Sequence, residues 1–270
     1  MPTDRPALDA AALRSRLVGG FVTALDVVGE TSSTNADLVA AAAEGAPEGT
    51  VLVAEFQHAG RGRFMRTWAS PARAGLTFSL LVRPASVPVT RWGWLPLLTG
   101  VAAHDAVRAL LPPGVDVVLK WPNDLLLGAP GQKAAGILAE AGAGWVVIGV
   151  GVNVDHESRE LPSEQAVSLR MYTDRPVDRA ALLAALLDAF AVGYRRWIAA
   201  AGDPSASGLS RAYVRACATL GREVEVRRPA GTDVGRAVAV DAHGALVVDT
   251  AGGSVTVSAG DVVHVRARDR

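Results

Sequence analysis

The chain has 270 residues, with 27 basic and 27 acidic side chains and a formal net charge of zero. Half of its residues are apolar and a fifth are charged. This excludes an intrinsically disordered chain and one drawn bodily onto nucleic acid or an anionic membrane, so any anion site has to be local. A single cysteine, Cys217, excludes an internal disulfide framework or a thiolate metal cage. The length suits one large core plus a smaller unit.

The N-terminal stretch carries acidic residues and no apolar run suited to a signal peptide, and no later stretch stays apolar for the roughly 18 residues of a membrane span. A cytoplasmic protein is expected. Residues 25–28 read as a short strand, and ETSSTN supplies capping hydroxyls for an alanine-rich helix that closes at Gly45. TVLVAEF reads as a buried strand, QHAGRGRFMRTWASPARAG as a long polar loop, and LTFSLLV as a second strand. A helix is predicted over residues 90–111, followed by three strand candidates around VVLKWPND, AAGILAEA and WVVIGVGVNV. Asp178 suits the N-cap of an amphipathic helix whose apolar residues, from Leu182 to Trp197, recur at helical spacing. A short helix holding Cys217 as a packed thiol comes next. Then REVEVRR, VGRAVAV, ALVVDT, SVTVSA and DVVHVRA alternate between tight turns, which predicts a small antiparallel barrel from about residue 222.

Chemistry concentrates in a few segments. In GRGRFMR the glycines expose backbone N–H groups beside Arg61, Arg63 and Arg66, whose forked donors suit phosphate or carboxylate. Taken alone, a solvated basic loop explains it equally well. It is not a P-loop, because the glycine-lysine-serine/threonine ending is missing. In KWPND the proline forces an edge or a bulge, and Lys120 and Asp124 suit a structural ion pair. Lys133 enters an otherwise apolar run, where an ammonium is costly unless it meets an anion or solvent. GVGVNV brings glycines that permit close approach of a backbone or ring, with Asn153 as donor and acceptor. The five histidines show no metal-binding spacing, and neither a GxSxG elbow nor a motif around the cysteine supports a covalent nucleophile.

In this order, ETSSTN, AEFQHAGRGR, TW, KWPND, QKAAGILAE and GVGVNV closely resemble the catalytic domain of biotin–protein ligases. The resemblance spans residues 30–153, and the terminal barrel matches by position and strand pattern. It implies an α/β (α+β) fold: a mixed sheet flanked by helices, of the class II aminoacyl-tRNA synthetase/biotin ligase kind, over residues 1–220, and an SH3-like barrel over residues 221–270. It implies condensation of biotin with ATP to biotinyl-5′-adenylate and pyrophosphate, then transfer to a lysine of a biotin carboxyl carrier protein. Biotin contacts would come from Ser33, Thr34, Asn35, Gln57, Gly60, Arg61, Lys133, Gly136 and Gly151. Nucleotide contacts would come from Arg63, Arg66, Trp68, Lys120, Asn123 and Asn153, with Trp68 stacking on adenine. Lys133, Arg61, Arg63 and Asp124 are the catalytic candidates; Asp124 would orient magnesium or deprotonate the incoming lysine.

One departure stands out: after GRGR and one more residue the family has a further glycine, which allows a positive φ, and this chain has Phe64-Met65, with Met65 in the glycine's place. Altered retention of the adenylate is expected from it. Lipoate–protein ligases, the nearest alternative, carry a different glycine-rich motif. Only about 29 residues precede ETSSTN, so no DNA-binding helix-turn-helix module is expected, nor is a membrane partner; a monomer or weak homodimer is.

Overall fold

The computed structural model describes residues 5–129, 131–228, 231–258 and 261–264. The end of the last foreseen strand, residues 265–267, lies outside them. The central sheet is built from β1 (Ala24–Val28), β2 (Thr50–Ala54), β3 (Gly75–Val82), β4 (Val117–Lys120), β5 (Asp124–Leu127), β6 (Gln132–Gly142) and β7 (Trp145–Asn153). Their order across the sheet is β1-β2-β3-β7-β6-β5-β4. The first two strands run parallel and the other neighbours antiparallel. The sheet is therefore mixed, as foreseen.

Both faces are covered. On one lie α3 (Trp94–Leu110) and α4 (Arg179–Ala199), packed on each other and on the sheet. Asp178 caps α4 by accepting from the N–H groups of Ala180 and Ala181. The foreseen stripe of Leu182, Leu183, Leu186, Leu187, Phe190, Tyr194 and Trp197 is buried throughout. On the other face α2 (Thr34–Ala43), which follows α1 (Ala10–Leu17) in the chain, sets Leu38 and Ala42 against Leu81 and Val147. Because strand side chains alternate, Thr77, Ser79 and Leu81 share this second face, and it is the face that carries the site.

KWPND does not continue one strand. The chain turns at residues 121–123, so the edge strand β4 pairs back on β5, a strand that the apolar run alone did not separate from its neighbour. Proline, lacking an N–H for the ladder, sits in that turn, where no ladder bond is lost. Four strands thus stand where three were expected.

After α5 (Leu209–Ala216), β8 (Glu223–Arg228), β9 (Gly231–Val240), β10 (Leu246–Thr250), β11 (Gly253–Val257) and β12 (Asp261–His264) form the SH3-like unit, an antiparallel sheet in the order β11-β10-β9-β8-β12. Two indoles, Trp94 at the start of α3 and Trp121 in the β4–β5 turn, fasten it to the larger unit. Trp94 Nε1 donates to the Asp241 carbonyl at 3.1 Å and Trp121 Nε1 to that of Gly244 at 3.0 Å. Both rings are fully buried. The apolar side chains of the two sheets belong to one continuous core, in which each such indole contributes about 3 kcal/mol. Among the described residues no helix is long and apolar enough to cross a membrane.

Candidate active site

The site begins with a row of cross-strand partners. Thr77 of β3 stands opposite Gly151 of β7, which faces Gly136 of β6, then Asp124 of β5, then Lys120 of β4. Directly opposed residues of antiparallel strands share a face. Two glycines in the middle of such a row leave a trough on an otherwise side-chain-covered sheet. All five residues line one cleft that encloses about 1060 Å³ of space open to solvent.

What fills the trough explains the glycines. The Trp68 indole lies on it: a Cβ at residue 151 would overlap the ring, and one at residue 136 would come within 3.2 Å of it. In the next row Ser79 faces Gly149, which faces Leu138. There a Cβ at Gly149 would overlap Asn35 Oδ1. Each glycine of GVG therefore admits one particular side chain from another element.

The first turn of α2 and the loop after β2 meet over this second row. Ser33 is the N-cap, accepting from the Ala36 N–H. Thr34 donates its backbone N–H to Gln57 Oε1 at 2.8 Å. Ser79 Oγ, wholly buried, stands 2.8 Å from Thr34 Oγ1 and 2.6 Å from Asn35 Oδ1, so its single proton serves one of them at a time. Asn35 Nδ2 donates to Glu140 Oε2 at 2.8 Å and more weakly to the Leu138 carbonyl.

GRGR forms the neck of a tight hairpin. The Trp68 N–H donates to the Gly60 carbonyl at 2.8 Å and the Gly62 N–H to the Arg66 carbonyl at 2.6 Å. Arg61 and Thr67 face each other across it. Gly60 has no space for a Cβ against the Trp68 carbonyl and Gln57 Nε2. At the tip Phe64 adopts left-handed angles, φ 54° and ψ 42°, with the Arg63 guanidinium 5.0 Å from its ring centre. The positive φ expected for this loop thus falls on Phe64.

Lys133 reaches the cleft by a register shift. Between Leu125 and Leu126 the β5–β6 pairing slips by one residue, so that Ala135 and Lys133 pair with consecutive partners. Such a bulge re-aims the side chain beyond it. Lys133 Nζ lies 2.6 Å from Asp124 Oδ1 and 5.7 Å from the centre of the Trp68 ring. The ion pair foreseen between Lys120 and Asp124 is therefore corrected: Asp124 pairs with Lys133, and Lys120 is its neighbour in the row. Asn123 ties the turn to β6, donating to the Ile137 carbonyl at 2.9 Å.

Most of the residues singled out from the sequence come together in this one cleft: Ser33, Thr34, Asn35, Gln57, Arg61, Arg63, Arg66, Trp68, Lys120, Asn123, Asp124, Lys133, Gly136 and Gly151 line it. Gly60 lies against Gln57 at its edge. Asn153 is not among the lining residues; it is buried, with Nδ2 donating to the Val167 carbonyl at 3.1 Å and the Lys133 carbonyl at 3.5 Å. Sequence reasoning passed over Thr77 and Val262, the latter lent to the lining by the SH3-like unit, and over Ser79 and Glu140, which hold Asn35 behind it. Lining the cleft are five cations, Arg61, Arg63, Arg66, Lys120 and Lys133, against one carboxylate, Asp124. No group of three or more metal-binding side chains occurs among the described residues.

Comparison with known proteins agrees with this geometry. Residues 28–155 match the model of the biotin/lipoate A/B protein ligase family, and residues 219–265 match the biotin protein ligase C-terminal domain. The biotin–[acetyl-CoA-carboxylase] ligase of Mycobacterium tuberculosis is 44% identical over 85% of this chain and 85% of its own length. The bifunctional ligase/repressor BirA of Bacillus spizizenii is 32% identical over 84% of this chain and 68% of its own. The solved biotin protein ligase of Aquifex aeolicus, in complex with biotin and ATP, is 26% identical with a TM-score of 0.72, covering 91% of this chain and all of that one. Fold and site thus define an enzyme of the ligase class. Within that class the chain belongs to the biotin protein ligase family.

Proposed function

We propose that the cleft condenses biotin with ATP and passes the biotinyl group to a lysine of the biotin carboxyl carrier protein of acetyl-CoA carboxylase, in the cytoplasm. One observation carries this most directly: a trough floored by glycine sits beside a cradle of mixed donors and acceptors and ends at five cations facing one carboxylate. Thr34 and Gln57 supply the donors and acceptors that a buried cyclic urea needs. The carboxylate end would then run past the Trp68 ring, which covers the Gly136–Gly151 floor, toward Lys133.

Two anions must meet there. A carboxylate oxygen of biotin attacks the α-phosphorus, forming the mixed anhydride as the bond to pyrophosphate breaks. Lys133, held by Asp124, neutralises the charge that otherwise keeps carboxylate and phosphate apart. Arg61, Arg63 and Arg66, with Lys120, hold the remaining phosphate oxygens. Trp68 gives adenine a stacking face, and Asn153, buried beside the cleft, steadies the strand that carries Lys133 through its carbonyl. In the second step the carrier amine attacks the acyl carbon, AMP leaves, and Asp124 is the group within the cleft to receive the amine's proton. Asp124 as sole carboxylate fits a magnesium ion carried in on ATP phosphates, which needs one or two protein oxygens. Residues 1–220 do this chemistry, with residues 221–270 closing the rim through Val262.

ATP–pyrophosphate exchange with biotin, lipoate and octanoate in parallel tests the proposal. Exchange should depend on biotin alone, and Lys133→Ala should lower it by at least about a hundredfold with an unchanged melting temperature. Equal exchange with lipoate, or full exchange by the variant, would overturn it.

A further inference from the structure

Glu140 lies on β6, two residue pairs beyond the Gly149–Leu138 row and so on the same face, and divides its two carboxylate oxygens between two elements. Oε2 receives Asn35 Nδ2 at 2.8 Å, while Oε1 stands 3.9 Å from Arg61 Nη2. Asn35 is in turn seated by Ser79 and by the space at Gly149, and Ser79 meets Thr34, whose N–H holds Gln57. A continuous polar chain therefore runs from the hairpin to the cradle: Arg61, Glu140, Asn35, Ser79, Thr34, Gln57.

The Arg61 contact is long, and both side chains are about a third or more exposed, at 43% and 33%. A solvent-screened pair of this kind adds little to stability. Its geometric effect is larger. Glu140 is fixed by Asn35, so it draws one edge of the Arg61 guanidinium toward the sheet and leaves the other donors facing the cleft, where a planar fork recognises a carboxylate.

We propose that Glu140 is a positioning residue for biotin binding: through Arg61 it ties the orientation of the hairpin's guanidinium to the cradle that holds the ring head. The proposal rests on the biotin-activating reading given above. It differs from a plain structural role, in which Glu140 only favours the N-terminus of α2 through Asn35. That role would move the melting temperature and leave substrate kinetics alone.

The experiment is a double-mutant cycle in biotin-dependent pyrophosphate exchange, using Glu140→Gln, Arg61→Ala and the pair. Glu140→Gln keeps an oxygen for Asn35 and removes only the charge. It should raise KM for biotin about tenfold, the factor that corresponds to 1.4 kcal/mol, with kcat within about twofold. In the Arg61→Ala background it should add nothing, because the residue it acts through is gone. Unchanged KM, or effects that multiply in the pair, would overturn the proposal. If Glu140→Gln melts below the assay temperature, Glu140→Asp keeps the charge, withdraws it by one methylene, and enters the same cycle. Exchange that ignores biotin in the unaltered chain would instead overturn the activity assigned above, before Glu140 is tested.

Discussion

Single residues in this protein are constrained from unexpected directions. Gly149 has an ordinary backbone, yet a methyl group there would overlap Asn35 Oδ1. Gly149→Ala should therefore cost about 2 kcal/mol by displacing a packed, hydrogen-bonded amide, lower the melting temperature by roughly 4–8 °C, and raise KM for biotin. Gly151→Ala meets the Trp68 ring on a hairpin that can yield, so it should spare the melt and harm adenylation. Calorimetry and exchange on both variants separate the two cases; equal melting losses would contradict this division. His156 carries a second constraint. It is wholly buried, its Nε2 lies 2.9 Å from Ser70 Oγ, and burial lowers its pKa to about 4. An unfolded chain titrates that imidazole near 6.5, so between pH 6.5 and 4 the unfolded state binds more protons. Its contribution is complete above pH 6.5 and is lost as pH falls, by up to about 3 kcal/mol. His264, also lowered to about 4, chiefly by burial, acts in the same direction. Urea midpoints from pH 7.5 to 4.5 should fall more gently in His156→Gln than in the parent; parallel curves would rule this out.

At the level of elements, the hairpin between β2 and β3 carries its strain at Phe64 and not at the neighbouring Met65. Phe64 holds left-handed angles that cost a side chain with a Cβ about 1 kcal/mol. Phe64→Gly should relieve that cost in the ordered hairpin and slow adenylate release about fivefold. A chase of radiolabelled adenylate from the enzyme measures it, and unchanged or faster release would count against the hairpin as the retaining element. Much of this was legible beforehand. Ser33 and Asp178 announced their helices because caps are local chemistry, and the order of the motifs predicted a common cleft. What escaped depended on pairing. The slip between Leu125 and Leu126 turns Lys133 into the cleft, the turn at Pro122 splits one apparent strand into two, and Asp124 finds Lys133 in place of Lys120. None of these can be read from spacing within a single segment. Glu140 stood inside a quoted motif, but its importance lies in Asn35 and Arg61, which are distant in sequence.

Over the whole molecule, the two sheets share one core and the N-terminal segment is fastened beneath the larger one. Arg5, 7% exposed, donates to Asp155 and Glu160, and its hydrogen bond holds the Glu160 carboxyl below the usual range. Leu8 N–H meets Glu55, which also pairs with Arg179. Arg5→Ala should cost about 3 kcal/mol by leaving partly buried carboxylates uncompensated, seen as a melting temperature lower by about 6–12 °C; a loss under 2 °C would show that water replaces the guanidinium. The sequence foretold two units, but indole N–H groups reaching carbonyls across the seam are invisible to composition. Cys217, the chain's only cysteine, is buried where α5 ends and is bridged to Leu119 of the edge strand β4. A thiol reagent gains its sulfur as that junction opens, so the rate at which it is labelled is a clock for how often the end of α5 lifts from the edge of the catalytic sheet.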